Sequence, residues 1–240
     1  MKKQLLYQSL LLILLIAACS SKEDYIAVPE NPESSVNFDP NTAPFQQLSQ
    51  YNFFQGELKN LDPVDGVIPY EPINTLFTDY AHKKRFIWMP NNTSATYVND
   101  YSILNFPIGT VLIKNFYYDT VQPDNTTRII ETRLMYNTSE GWKFAEYIWN
   151  NSQTEAVLNM NGSTTDISFT ENGETKNITY RIPSEAECFT CHKNGVNAVP
   201  IALKPQNINS NYNYSDGSNN QLSKWVELGY LSGNIPTNID

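Results

Sequence analysis

The chain has 240 residues, 25 acidic side chains against 16 Lys and Arg, a formal charge of −9 and three cysteines. This length suits one large domain or two small ones, with a core that needs no disulfide staples. Low charge (17%) with many aromatics (12%) excludes a disordered chain and favours strands, and the acidic balance excludes a nucleic-acid binder, which needs clustered cations for phosphates.

Lys2 and Lys3 form a short positive start, followed by the apolar run Leu10 to Ala18, which stops at Cys19. The run is shorter than the ~20 residues of a membrane span and fits the apolar part of a signal peptide. Residues 1–18 are therefore expected to be removed. The end of the run, Leu15-Ile16-Ala17-Ala18-Cys19, resembles the lipobox of bacterial lipoproteins, in which the cysteine becomes the lipidated first residue. Ile16 stands where Leu is usual. An ordinary secretory signal with an incidental cysteine is the competing reading. Ser20 is not the Asp of an inner-membrane retention signal, and Lys22-Glu23-Asp24 looks like a surface-export tag. Residues 19–44, with Pro29, Pro32 and Pro40, read as the lipidated Cys and a flexible tether.

Residues 45–182 read as a mainly-β body. Leu48, Tyr51, Phe54 and Leu58 fall at helical spacing and predict a short N-terminal helix within 44–62. Pro63, Pro69 and Pro72 break the next stretch into extended pieces. Strands are expected at 84–88, 95–98, 110–118, 128–136, 142–149, 156–158, 165–169 and 175–181. Pro90-Asn91-Asn92, Pro123-Asp124-Asn125, Ser139-Glu140-Gly141 and Asn172-Gly173 supply turns, the last a hairpin signal. The spacing suits an antiparallel sandwich-like sheet. Residues 183–240 read as a C-terminal helical segment packed on that body, with a loop at 206–220 and a helix at 220–229. Leu222, Trp225, Val226 and Leu228 form the apolar face of that helix, and Gly229 ends it.

The other two cysteines stand in Cys188-Phe189-Thr190-Cys191-His192, the attachment pattern of c-type haem. Two thioether bonds need sulfurs about one helical turn apart, and the next residue then reaches the iron as proximal ligand. A disulfide of thioredoxin type and half of a zinc site are the alternatives. The first usually follows a buried strand in a βαβ unit, and zinc wants four ligands. In a chain of 240, no Met or His follows His192. The haem therefore needs the upstream body as its pocket. Distal ligands are sought at Met89, His82, Lys114 and Met135, with Met160 in a polar turn. Each Met also fits a core position, His82 lies in a charged stretch, and Lys114 also reads as an exposed strand lysine. An open sixth position that binds a small ligand is equally compatible.

The strings Val67-Ile68-Pro69-Tyr70, Asn74 to Ala81, Phe106 to Phe116, Ile130 to Leu134, Gly141-Trp142, Cys188 to His192, Pro200-Ile201 and Asn220 to Leu222 resemble a family of exported bacterial c-type haem lipoproteins, related to dihaem cytochromes. The likeness covers about residues 46–233, here with one haem motif. It implies one haem c and electron transfer, with a quinoprotein-type dehydrogenase as a possible redox partner. A fainter likeness is to cytochrome P460 and β-type cytochrome c′. It rests on Phe106-Pro107, Gly109-Thr110 and Lys114, on Gly141 to Phe144, and on the late haem motif. It implies a β-rich fold and makes Lys114 a counterpart of the lysine that P460 cross-links to its porphyrin. Three functions are therefore expected to compete. One is an outer-membrane or envelope lipoprotein, held to the membrane by lipid on Cys19, that transfers electrons. The second is a haem protein with an open distal side. The third is a haem-free binding lipoprotein with a Cys188–Cys191 disulfide.

Overall fold

The structure is a computed structural model that describes residues 34–236 and 239. The signal peptide, Cys19 and the tether up to residue 33 lie outside the described residues. The tether ends earlier than expected. Ser34 donates to the Asp65 carbonyl at 2.7 Å, the Asn37 amide donates to the Tyr51 carbonyl at 2.9 Å, and Val36 and Phe38 pack on the core.

The body is one large antiparallel sheet. Its strands are β1 (Ile68–Pro69), β2 (His82–Trp88), β3 (Val111–Val121), β4 (Thr126–Thr138), β5 (Gly141–Trp149), β6 (Ala156–Leu158), β7 (Ser163–Glu171) and β8 (Glu174–Ile182). From one edge the order is β1-β2-β3-β4-β5-β6, and the β7–β8 hairpin joins the far end of β3 through Phe169 opposite Val121. Alternation and β-branched or aromatic content drive these strands, so they match the expected ones, most of them extended by a few residues. Asn172 and Gly173 both take positive φ, 52° and 83°, as a two-residue hairpin turn requires.

The sheet is covered on both faces, which makes the body sandwich-like. One face buries Phe86, Trp88, Val111, Ile113, Leu134, Tyr136, Ala145 and Tyr147 under residues 36–64. The other buries Ile87, Leu112, Met135 and Phe144 under the C-terminal segment. The expected helix in 44–62 is only a 3-10 turn, Leu48–Tyr51, with a second at Leu58–Asn60. Asn52 ends the first turn with φ 55°, and Phe54 instead enters a two-residue strand against Asp62–Pro63. Residues 95–98 shorten to Ala95–Thr96, paired in parallel with Leu231–Ser232 of the tail.

After the sheet come α1 (Glu185–Cys191), β9 (Lys193–Asn194), β10 (Asn197–Ala198), α2 (Pro205–Ile208), β11 (Asn211–Tyr214), β12 (Gly217–Asn220) and α3 (Gln221–Glu227). The expected loop at 206–220 is thus a short helix and the β11–β12 hairpin, turned at Ser215–Asp216. Its strands are Asn- and Ser-rich, with no apolar alternation to announce them. Asn220 caps α3 by accepting from the Leu222 and Ser223 amides. The face it buries differs from the expected one. Leu222 and Trp225 are buried, but Val226 is 47% and Leu228 36% exposed. Gln221 and Lys224 are buried in their place. Lys224 reaches Asp216 at 2.6 Å, and the Gln221 amide takes the Glu71 N–H at 2.7 Å and gives to the Glu71 carbonyl at 2.8 Å.

Candidate functional site

Helix α1 carries the haem motif and lies against β5. Its entry is fixed by a tight turn. The Glu185 amide donates to the Met160 carbonyl at 3.1 Å, and a side chain at Gly162 would meet the Ser184 nitrogen at 2.7 Å. Only glycine permits that approach, and its φ of 71° suits it as well. Glu187 folds back to accept from the Ser184 amide at 2.8 Å and pairs with Arg181. These contacts hold its carboxyl down at about 2, the Ser184 N–H first among them.

Cys188 and Cys191 stand one helical turn apart on α1 and carry free thiols. Cys188 is half-buried, and burial, then the charge of Glu146, pushes its thiol up to about 11. Cys191 is exposed. His192 follows as the residue that caps the helix, its amide bonded to the Cys188 carbonyl at 3.0 Å. Its Nδ1 lies 3.2 Å from the Val199 carbonyl, and its ring meets Phe144 edge-on at 5.8 Å. Burial keeps its pKa below the ordinary value, and the charges of Lys114 and Arg133 act in the same direction. The ring is therefore neutral at pH 7. With Nδ1–H spent on the carbonyl, Nε2 keeps its lone pair, which is the state a metal-ligating imidazole needs. The donor set thus fits a covalently held haem. A groove of about 620 Å³ runs beside α1, walled by Trp142, Phe144, Ala186, Phe189, Val196 and Ala198.

Apart from Lys114, the rest of the site was not visible from the sequence. Along the face of the sheet that α1 touches, Arg85, Lys114, Arg133 and Glu146 stand side by side on β2, β3, β4 and β5. Lys83 and Glu131 lie two residues along. Glu131 is wholly buried, takes Arg133 at 3.0 Å and 2.5 Å, and accepts from the Tyr180 hydroxyl at 2.6 Å. Glu146 is 2% exposed, and neither carboxyl oxygen has a hydrogen-bond partner among the described residues. Its nearest cation, Arg133 Nε, is 3.5 Å away. Burial first, and Glu131 beside it, push its pKa well above the carboxylate range, so it is held as the neutral acid. Charged residues inside otherwise apolar strands at alternate positions were the available signal.

Lys114 is half-buried, not the exposed lysine of the plain reading. Its ammonium sits 4.7 Å from the Phe116 ring centroid, with no carboxylate within salt-bridge distance among the described residues. Burial, then Arg85, Arg133 and Lys83, lower its pKa to about 7.

Of the other distal candidates, His82 and Met160 lie on the opposite face, whereas Met135 stands two residues from Arg133 on the same face, beside Phe144. His82 is on the opposite face of β2, exposed, 3.8 Å from Asp119 and against the Tyr117 ring. Met89 and Met135 are 1% and 6% exposed within the apolar core. Met160 packs against the core on the opposite face.

Among the described residues no helix is long and apolar enough to cross a membrane. No family model, curated protein sequence or solved structure matches the chain.

Proposed function

We propose that this chain is an exported, lipid-anchored protein that holds one c-type haem through Cys188 and Cys191, with His192 as proximal ligand, and moves electrons in the cell envelope. The observation that carries this reading is the imidazole. His192 sits one residue beyond a helix presenting both cysteines, with Nδ1 on the Val199 carbonyl and Nε2 left to bind iron. The lipobox-like end at Cys19 supports an outer-membrane or envelope location. The haem brings one-electron chemistry. The chain's residues orient the imidazole, keep it neutral and shield one side of it with Phe144. A quinoprotein-type dehydrogenase is the proposed electron donor, and the acidic surface favours a basic docking face.

The test is mass and absorbance of protein made in a host with working c-type maturation. Covalent haem mass and a c-type α-band on reduction are the expected results. A Cys188–Cys191 disulfide without haem mass would make it the haem-free binding lipoprotein.

A second reading has its own observation. Met89 and Met135 are packed into the apolar core, Met135 beside Phe144 on the face under α1, while Met160 and His82 lie on the other face. This favours an open sixth position, and with it small-molecule redox chemistry or gas binding of the P460 or c′ kind. A high-spin ferric spectrum that shifts with cyanide or NO supports it. A low-spin spectrum with a sulfur-to-iron band overturns it.

A further inference from the structure

Four of the 16 Lys and Arg of a chain with charge −9 are gathered on one patch of one sheet face. Three of the four have a partner close by. Arg133 is held by Glu131, and Lys83 donates to the Leu76 carbonyl at 2.9 Å. Arg85 is 3.7 Å from an exposed Glu71. Lys114 stands between Arg85 and Arg133 in the cross-strand row, with a ring under its ammonium and no anion against it. Clustered like charges with low exposure are unfavourable unless a counter-charge arrives. The missing counter-charge is negative, and the place for it is over β2–β4.

The motif lies at β5, one end of this row. Thioether bonds fix the two vinyl-bearing rings of a haem next to Cys188 and Cys191. Its two propionates hang from the other two rings, on the side away from those bonds. Neighbouring strands are ~4.8 Å apart, so the row from β5 through β4 and β3 to β2 covers roughly 14 Å. A haem held at Cys188 and Cys191 and laid over this face would carry its carboxylates across a span of that size.

We propose that Lys114, with Arg85 and Arg133 on either side, is the carboxylate-binding end of the cofactor site and takes the haem propionates. This rests on the haem reading above and adds to it a named anchor remote from the covalent motif. Lys114 is a positioning residue here, because it acts on the periphery of the porphyrin and not on the iron.

The experiment uses purified holoprotein of the parent, Lys114→Gln and Lys114→Arg, with covalent haem verified by mass. Resonance Raman reads the propionate bending bands, and a redox titration reads the reduction potential. Lys114→Gln is expected to shift the bands and lower the potential, since one positive charge near the haem is lost. Lys114→Arg is expected to restore both. Haem attached but bands and potential unchanged in Lys114→Gln overturns the proposal and leaves the haem reading standing. A parent without haem mass overturns the haem reading itself, and this proposal with it. If Lys114→Gln does not fold, a crystal structure of the parent holoprotein decides the matter. Propionate oxygens within hydrogen-bond reach of Lys114 Nζ support the assignment, and propionates directed elsewhere overturn it.

Discussion

The two faces of the large sheet are made by the same strands and behave in opposite ways. On the face under residues 36–64, polar groups are uncharged and closed on one another. Tyr51 and Tyr147 share a hydrogen bond of 2.8 Å, Tyr147 donates to the Phe45 carbonyl at 2.8 Å, and Tyr51 accepts the Phe45 amide at 3.0 Å. Trp149 donates to Thr132 at 2.9 Å, and Thr132 donates to Asn115 at 2.6 Å. On the face under α1, among the described residues, the buried Glu146 carboxyl has no hydrogen-bond partner and the Lys114 ammonium no salt-bridge partner. Satisfied polar groups fix a core, and a buried group without a partner calls for an explanation of its own. The difference separates a face that holds the fold from the face on which the proposed haem site lies.

The contrast can be broken at four points. The largest effect is expected at Glu131, which holds both Arg133 and Tyr180. Glu131→Ala leaves a largely buried cation unpaired and should cost about 3–5 kcal/mol, read by urea unfolding. Next is Lys114, whose folded pKa of about 7 lies below its ordinary 10.5. Between those values the unfolded chain holds the extra proton, so Lys114 makes stability rise with pH by roughly 1 kcal/mol per unit. Glu146 does the reverse: its raised pKa lets the folded state hold the extra proton, so its share of stability falls as pH climbs above the carboxylate range. Thermal melts of haem-free Lys114→Met from pH 6 to 10 should gain over the parent at the acid end and lose that gain on the way up. A pH-independent gap would contradict the buried, like-charged setting of Lys114.

Tyr147→Phe opens the closed hydroxyl ring of the other face and is expected to cost about 1–3 kcal/mol, yet to leave the haem spectrum and potential untouched. A changed spectrum in that variant would break the division between faces. The smallest effect belongs to Glu146→Gln. A neutral acid is replaced by a neutral amide of the same shape, so stability at pH 7 should move by less than about 1 kcal/mol. A large loss there would mean that Glu146 is ionised beneath α1.

Much of this architecture is legible in the sequence, and the limits have physical causes. Strands 128–136 and 142–149 announce themselves by β-branched and aromatic content, and Asn172-Gly173 by the turn it must make. The motif reads directly, because the spacing of two cysteines and a histidine is itself the chemistry. Arg85 reads as part of a solvated run, Ala81 to Arg85, because only the tail crossing over it makes it 7% exposed. Lys114 reads as a surface lysine for the same reason. Which face of a strand is covered is set by contacts more than a hundred residues apart, such as Gln221 with Glu71. The β11–β12 hairpin is missed because Asn and Ser carry no hydrophobic period.

That Gln221 contact has a consequence for timing. A side-chain amide grips one backbone residue on both its donor and its acceptor, as a neighbouring strand would, and Ile73 adds a bond to the Asn207 carbonyl at 2.7 Å. The clasp comes from residues that follow the sheet and the cysteine pair in the chain. Until it arrives, the sheet and the cysteine pair are already present but the cover over them is open. Among these elements, the order of the sequence therefore leaves the cover over the cysteine pair to be shut after the sheet beneath it has formed.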